Sequence, residues 1–208
     1  MSLTIIAFGD SLTTGFIPTR IAHQPYTRFL RQHLDKFWSQ HSLTELHIQI
    51  LNRGVNGNLT SDMLLRFQWD VLNARPTHVI ILGGTNDLGW ELPVDEIFAN
   101  LTEIYTQAYE HSITPICCAV PSILGWDAGI PPRIQLNAHI QQYCHRKHFR
   151  FVDLFTQTCD PHTKRLLGKY SSDGLHFNTL GYQKMADVIY NDAIQPLLIT
   201  YLKSMNDD

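Results

Sequence analysis

The sequence lacks any run of eighteen apolar residues, so no segment has the length and hydropathy needed to cross a lipid bilayer. It also lacks clusters of basic residues, and 16 Lys and Arg against 19 Asp and Glu give a formal net charge of −3. These features argue against nucleic acid as a partner and against stable membrane insertion. The first apolar run starts at Leu3, which leaves no room for a secretory leader and predicts a cytoplasmic protein.

Cysteine is scarce, and its four residues, Cys117, Cys118, Cys144 and Cys159, have no CxxC spacing. This favours free buried thiols over a redox or metal site. The eleven histidines show no HExxH pattern, although His145 and His148 are three residues apart, and neither a GxGxxG motif nor a Walker lysine follows the first apolar run. We therefore expect no metal, nucleotide or other cofactor.

The chain has 208 residues, of which 44% are hydrophobic, and it contains no internal repeat, low-complexity tract or Ser/Gly linker. This length and composition predict a single globular domain, residues 1–208, with a sizeable core. The composition does not favour an intrinsically disordered chain.

Five short apolar runs have the length of β-strands: Leu3–Phe8, Leu46–Leu51, His78–Leu82, Ile113–Val120 and Phe149–Leu154. The segments between them have helical periodicity, and the last helical segment, Thr179 to Lys203, contains Pro196, which should kink or split it. Apolar strands separated by helices predict a parallel sheet of about five strands, covered on both faces. We therefore expect an α/β fold, a three-layer α/β/α sandwich with flavodoxin-like strand order.

Ligands of such sheets bind outside the carboxyl ends of the strands, and polar blocks follow four of these ends. The blocks are Gly9-Asp10-Ser11 after the first strand, Asn52 to Asn58 after the second, Gly83 to Asp87 after the third, and Asp173-Gly174-Leu175-His176 beyond the fifth. A serine, a glycine, an asparagine and an Asp-x-x-His pair would thus meet at one edge. Acyl transfer by an activated hydroxyl requires such groups.

In order and type, these blocks resemble the signature of the GDSL (SGNH) hydrolase family: Ser11, Gly57, Asn86, Asp173 and His176 match its positions across most of the chain. The resemblance implies that Ser11 is the nucleophile, His176 the general base, and Asp173 the group that orients the imidazole. It also implies an oxyanion hole formed by the backbone N–H groups of Ser11 and Gly57 and the side-chain amide of Asn86. The implied activity is hydrolysis of a carboxylic ester through an acyl-enzyme.

Other readings of the same residues stay open at this point. Each block alone could be a turn or a helix cap, and Asp10 is expected to be a structural hydrogen-bonding group. The GxSxG elbow of the α/β-hydrolases is missing, and Leu12 stands where a dehalogenase-type phosphatase would need a second acid. A non-catalytic binding module with this fold remains an alternative.

The predicted substrate is a small soluble ester with a short acyl or aryl group, including lysophospholipid-like or acetylated small molecules. Thioesters and acetylated carbohydrates are the alternatives. Apolar residues in the loops around the predicted site are the expected substrate contacts: Trp90, Ile123, Leu124 and Trp126. A homo-oligomer is left open, since no residue pattern argues for or against it.

Overall fold

The computed structural model describes residues 2–41 and 47–206. Its strands are β1 (Ser2–Gly9), β2 (Phe16–Ile17), β3 (Ala22–His23), β4 (His47–Gly54), β5 (His78–Leu82), β6 (Thr114–Cys118) and β7 (Arg150–Val152). Its α-helices are α1 (Ser11–Thr14), α2 (Tyr26–His41), α3 (Thr60–Asp70), α4 (Thr85–Gly89), α5 (Val94–Glu110), α6 (Ile130–Lys147), α7 (Leu154–Thr158), α8 (Thr179–Ile189) and α9 (Gln195–Asn206).

Five strands form one parallel sheet in the order β4-β1-β5-β6-β7. Numbered along the chain, these strands have the order 2-1-3-4-5, which is the flavodoxin-like order. The predicted α/β/α architecture is therefore confirmed. The order reverses at β1, which lies between β4 and β5, so the carboxyl end of β1 is the switch point where ligands bind in sheets of this type.

Two apolar cores cover the two faces of the sheet. Leu3 and Ile5 of β1 belong to the core beneath α2 and α8, whereas Ile6 and Phe8 belong to the core beneath α3, α5 and α6. This alternation follows from the two-residue period of a strand, which points successive side chains to opposite faces. All four cysteines are free and buried, as predicted. Within the described chain no helix is long and apolar enough to cross a membrane.

The structure differs from the sequence-based expectation at several element ends. The fourth strand spans only Thr114–Cys118, the fifth only Arg150–Val152, and Leu46, predicted to begin the second strand, lies outside the described residues. The short β2-β3 hairpin was not predicted. The last helical segment, expected to kink or split, stays helical from Thr179 to Asn206, but a π-helical turn at Tyr190–Ile194 lies between α8 and α9. This turn comes just before Pro196, which cannot donate a backbone hydrogen bond.

Candidate active site

Ser11 is placed by the sharp turn from β1 into α1. Asp10 is the N-cap of α1, and its Oδ1 accepts a hydrogen bond of 2.9 Å from the backbone N–H of Leu12. Gly9 is the last residue of β1. This position needs glycine, because a Cβ there would collide with the carbonyl oxygen of Leu82. As the first residue of the helix, Ser11 has a backbone N–H without an intrahelical acceptor. The turn thus presents both the hydroxyl and a backbone donor of Ser11.

Ser11, His176 and Asp173 form a chain of hydrogen bonds. Ser11 Oγ lies 3.1 Å from His176 Nε2, and His176 Nδ1 lies 2.7 Å from Asp173 Oδ2. Phe16 packs against the imidazole in a T-shaped arrangement, with ring centroids 5.3 Å apart. The structure therefore brings together a hydroxyl and an imidazole that are 165 residues apart in sequence.

The loop from Ser171 to His176 fixes the carboxylate of Asp173. Asp173 Oδ1 accepts hydrogen bonds from the backbone N–H groups of Leu175 (3.0 Å) and His176 (2.8 Å). The Ser171 hydroxyl closes the loop by donating to the carbonyl oxygen of His176 at 2.6 Å. Partial burial raises the pKa of Asp173, but the bonds from the His176 ring and from the two backbone N–H groups outweigh it and hold that pKa below its ordinary value. Asp173 is thus ionised at neutral pH. Ser171 was not singled out by sequence reasoning.

The loop after β4 places Gly57 beside the first turn of α1. Thr14 Oγ1 donates to Asn56 Oδ1 at 2.6 Å, and Asn52 Nδ2 donates to the carbonyl oxygen of Thr13 at 2.6 Å. Gly57 has a φ of +77°, a left-handed conformation that favours glycine, and no backbone carbonyl of the described residues accepts its N–H. This N–H therefore has no partner among the described residues, in a loop that the hydrogen bond between Thr14 and Asn56 ties to α1.

Asn86 follows β5 and contacts the same loop. Its Nδ2 donates one hydrogen bond, of 2.9 Å, to the carbonyl oxygen of Asn58, which leaves the second amide proton for another acceptor. The next residue, Asp87, is buried and accepts hydrogen bonds of 3.0 and 2.5 Å from the backbone N–H and the hydroxyl of Thr60 at the start of α3. Asp87 thereby ties the loop that carries Asn86 to the helix that follows Gly57.

Arg66, on α3, was missed by sequence reasoning although it joins three parts of the site. Its guanidinium donates to the carbonyl oxygens of Gly9 (2.8 Å) and Arg53 (2.9 Å) and to Asn58 Oδ1 (2.6 Å). Its only local signal is the pairing with Asp70 one helical turn later, at 2.7 Å. Arg66 therefore holds the turn before Ser11 against the loop that carries Gly57.

Asp10 has the structural role expected from the sequence, and its environment is unusual. The side chain is fully buried, and Oδ2 has no hydrogen-bond partner among the described residues. Burial raises the pKa of Asp10 to about 7, the hydrogen bond from Leu12 lowers it in part, and nearby Asp87 raises it further.

A cleft of about 320 Å³ opens beside Asn86 and Leu175. It contains three of the four predicted substrate-contacting residues, Trp90, Ile123 and Trp126. Leu124 does not line this cleft; it lines a separate depression with Asp127 and Arg165, and its backbone N–H donates to the carbonyl oxygen of Gly174 at 2.8 Å. The role of these residues in substrate binding stays a prediction.

Arg133 also forms part of the wall of this cleft and is fully buried. Burial lowers the pKa of its guanidinium to about 10, so the group stays positively charged at neutral pH. As for metals, residues 2–41 and 47–206 contain no group of three His, Cys, Asp or Glu side chains that could hold an ion.

Comparison with known proteins identifies the family. The model of the GDSL-like lipase/acylhydrolase family matches residues 7–184, a span that includes Ser11, Gly57, Asn86, Asp173 and His176. The chain therefore belongs to this family, and the resemblance seen in its sequence blocks is confirmed.

Two curated relatives and one solved structure are similar to the chain. It is 30% identical over 130 residues to a lipoprotein, YqeF, of Bacillus subtilis (strain 168), covering 58% of this chain and 50% of that protein. It is 32% identical over 71 residues to an acetylxylan esterase of Geobacillus stearothermophilus, covering 33% and 31%. The matches thus span half or less of these relatives. A GDSL-like lipase from Bacteroides thetaiotaomicron VPI-5482 has the same fold, with a TM-score of 0.71, 24% identity and coverage of 90% and 86%.

Proposed function

We propose that this protein is a serine hydrolase that cleaves carboxylic esters through an acyl-enzyme on Ser11. The observation that carries the proposal is the chain of hydrogen bonds from Ser11 Oγ through the His176 ring to Asp173, of 3.1 and 2.7 Å. A serine hydroxyl is too weakly acidic to attack an ester unaided, so a base must take its proton as the new bond forms. His176 Nε2 is at the distance that this transfer needs.

Asp173 orients the base. A carboxylate on Nδ1 places the proton on that nitrogen, leaves Nε2 free to accept the serine proton, and stabilises the imidazolium that results. The lowered pKa of Asp173 keeps the carboxylate ionised for this task at neutral pH. After the leaving group departs with the proton from His176, water attacks the acyl-enzyme by the same route and releases the acid.

Attack on the ester carbonyl turns its oxygen into an anion, which needs donors already in place. The backbone N–H groups of Ser11 and Gly57 and the second amide proton of Asn86 are our candidates for this oxyanion hole. Two contacts support the assignment: Thr14 binds Asn56, next to Gly57, and Asn86 binds Asn58. The first contact connects the helix of Ser11 to the loop of Gly57, and the second connects Asn86 to the same loop.

The proposed substrate is a small ester with a short acyl or aryl group, because the cleft of about 320 Å³ beside Asn86 is at the small end of the range for ligand sites. Acetylated carbohydrates are the second candidate, favoured by the similarity to an acetylxylan esterase over 71 residues. The predicted cytoplasmic location remains a prediction, and the similarity to a lipoprotein favours a test of the membrane fraction as well.

The first prediction tests the nucleophile. We expect a fluorophosphonate probe to label the wild-type chain at Ser11, and 4-nitrophenyl acetate to be hydrolysed. Ser11→Ala should abolish labelling and lower kcat by about 10⁴- to 10⁶-fold, as loss of a triad serine does in other hydrolases. Ser39→Ala, at an exposed serine on α2, is the matched control and should keep both properties. Labelling that persists in Ser11→Ala, or no hydrolysis of any acyl ester by the wild type, would contradict the proposal.

A further inference from the structure

Arg133 is a buried cation without a counter-ion among the described residues. It lies in the first turn of α6 and has 0% exposed surface. Nη1 donates to the carbonyl oxygen of Gly129 at 2.8 Å, whereas Nε and Nη2 are buried and have no hydrogen-bond partner in the described part of the chain. Arginine is rarely buried in this way without a partner, because desolvation of an unpaired charge is costly.

The two unpartnered nitrogens share one edge of the guanidinium. Their N–H groups point in parallel and match the two oxygens of a carboxylate. The same protein shows this pairing elsewhere: Arg165 donates from Nε to Asp127 Oδ1 at 2.7 Å and from Nη2 to Asp127 Oδ2. The unpartnered edge of Arg133 is thus the edge with which Arg165 binds a carboxylate. Its two nitrogens are shielded from solvent, so a carboxylate in the cleft reaches them only after the side chains that cover them move.

The surroundings of Arg133 connect it to the proposed reaction. It shares the cleft wall with Asn86 and with Thr85, whose buried hydroxyl also has no partner among the described residues. Trp126 packs over the guanidinium, with its ring centroid 5.7 Å from Cζ, and lines the same cleft. The cleft therefore combines a candidate oxyanion donor with a cation, a hydroxyl and an aromatic wall.

We propose that this cleft is a subsite for a carboxylate carried by the ester substrate, which Arg133 binds in a bidentate manner through Nε and Nη2. The inference rests on the proposed function and narrows it: the substrate is an ester with a second, anionic group. That group belongs either to the acyl part, as in a half-ester of a dicarboxylic acid, or to the leaving group.

The experiment compares anionic with neutral esters of similar size. The acyl-side pair is 4-nitrophenyl hemisuccinate and 4-nitrophenyl butyrate, and the leaving-group pair is 4-acetoxybenzoate and phenyl acetate. The readout is the ratio of kcat/KM within each pair, because the fraction of folded enzyme cancels. We expect Arg133→Met to lower the anionic-to-neutral ratio of one pair by about 10- to 100-fold, the usual range for hydrogen bonds to charged groups.

Two further variants sharpen the result. Arg133→Lys keeps the charge but loses the two-donor edge, so we expect an intermediate ratio; it also replaces Arg133→Met in the test if that variant does not fold. Arg146→Met removes an exposed arginine from the same helix and should leave both ratios unchanged. A change in either pair supports the subsite and identifies its side, whereas unchanged ratios for both pairs in the Arg133 variants would overturn it.

A binding measurement separates this inference from the proposed function. Monomethyl succinate is titrated into the Ser11→Ala chain by calorimetry, which needs no turnover. We expect binding that is at least about 10-fold weaker when Arg133→Met is added. If the wild type hydrolyses none of the esters but this difference in binding is present, the proposed function fails and the anion subsite stands. Equal or absent binding in both chains would refute the subsite.

Discussion

The two ends of the sheet differ in how their polar side chains are hydrogen-bonded. At the amino ends of the strands, a cavity of about 600 Å³ is lined by His78 of β5, Thr114 of β6 and residues of α6 and α9. It is larger than the cleft at the carboxyl ends. Of its three histidines, His78 is hydrogen-bonded through Nδ1 to Thr77 Oγ1 at 3.0 Å, and burial lowers the pKa of His78 to about 4. Cavity volume therefore does not distinguish the end of the sheet at which Ser11, Asp173 and His176 meet.

The carboxyl ends are distinguished by helix starts and by hydrogen bonds between loops. Ser11, Thr60 and Thr85 each begin a helix there, where backbone N–H groups lack intrahelical acceptors and can receive negative charge. The helices that follow β1, β4 and β5 along the chain therefore begin at this end of the sheet. The comparison teaches that strand direction, more than cavity size, indicates which end of the sheet carries the groups that the proposed mechanism needs.

The largest expected difference between the two ends is in catalysis. Asn86→Ala should lower kcat by about 10²- to 10³-fold, as removal of one oxyanion donor does in a serine protease. The expected cost in stability is small, because the deleted hydrogen bond to the Asn58 carbonyl is at a half-buried position. Ester hydrolysis together with thermal melting checks this prediction. A retained kcat would remove Asn86 from the mechanism.

An intermediate effect is expected in the pH dependence of stability. The pKa of Asp10 is about 7 in the folded state, so between pH 4 and 7 the folded chain binds more protons than the unfolded chain, and the contribution of Asp10 is lost as the pH rises. Asp10→Asn keeps an N-cap oxygen and removes this dependence. Relative to the variant, the wild type should lose about 2.5 kcal/mol of unfolding free energy between pH 5 and pH 8. Urea denaturation measures this, and a pH-independent difference would contradict it.

The smallest effect on activity is expected at the amino end. His78→Leu should change kcat/KM for 4-nitrophenyl acetate at pH 7 by no more than about twofold, because the site is distant: His78 is the first residue of β5, and Asn86 follows the other end of that strand. His78 makes the stability of the folded chain depend on pH in the opposite direction to Asp10. The lowered pKa of His78 means that wild-type stability is lost as the pH falls from 6.5 towards 4, and the variant should escape this loss. A tenfold fall in kcat without a change in melting temperature would show that the two ends are coupled.

Sequence reasoning predicted the parts of this molecule that local patterns encode. The five strands of the parallel sheet are visible in the sequence as apolar runs. The rule that parallel strands present their carboxyl ends together predicts that Ser11, directly after β1, meets the other polar blocks at one edge. Pro196 likewise indicates a change of helix geometry, and the π-helical turn at Tyr190–Ile194 comes just before it. The catalytic roles of Ser11, Asp173, His176, Gly57 and Asn86 remain predictions that the geometry supports.

The parts that could not be predicted depend on contacts between distant segments. Arg66 binds Gly9, 57 residues earlier, and nothing near either residue signals that contact. Arg133 looks in sequence like an ordinary helical arginine, and only the packed structure shows that it is buried beside Trp126. Leu124 has apolar neighbours in sequence that line the cleft, but its own side chain lines a separate depression, which no local pattern indicates.

The spacing of 165 residues between the Ser11 hydroxyl and the His176 ring has a consequence for biosynthesis. The ribosome makes Ser11 well before Asp173 and His176, so under the proposed mechanism a nascent chain that stops before Asp173 has no base for its serine hydroxyl. Ester hydrolysis by that mechanism then requires the segment with Asp173 and His176 to dock against the turn after β1.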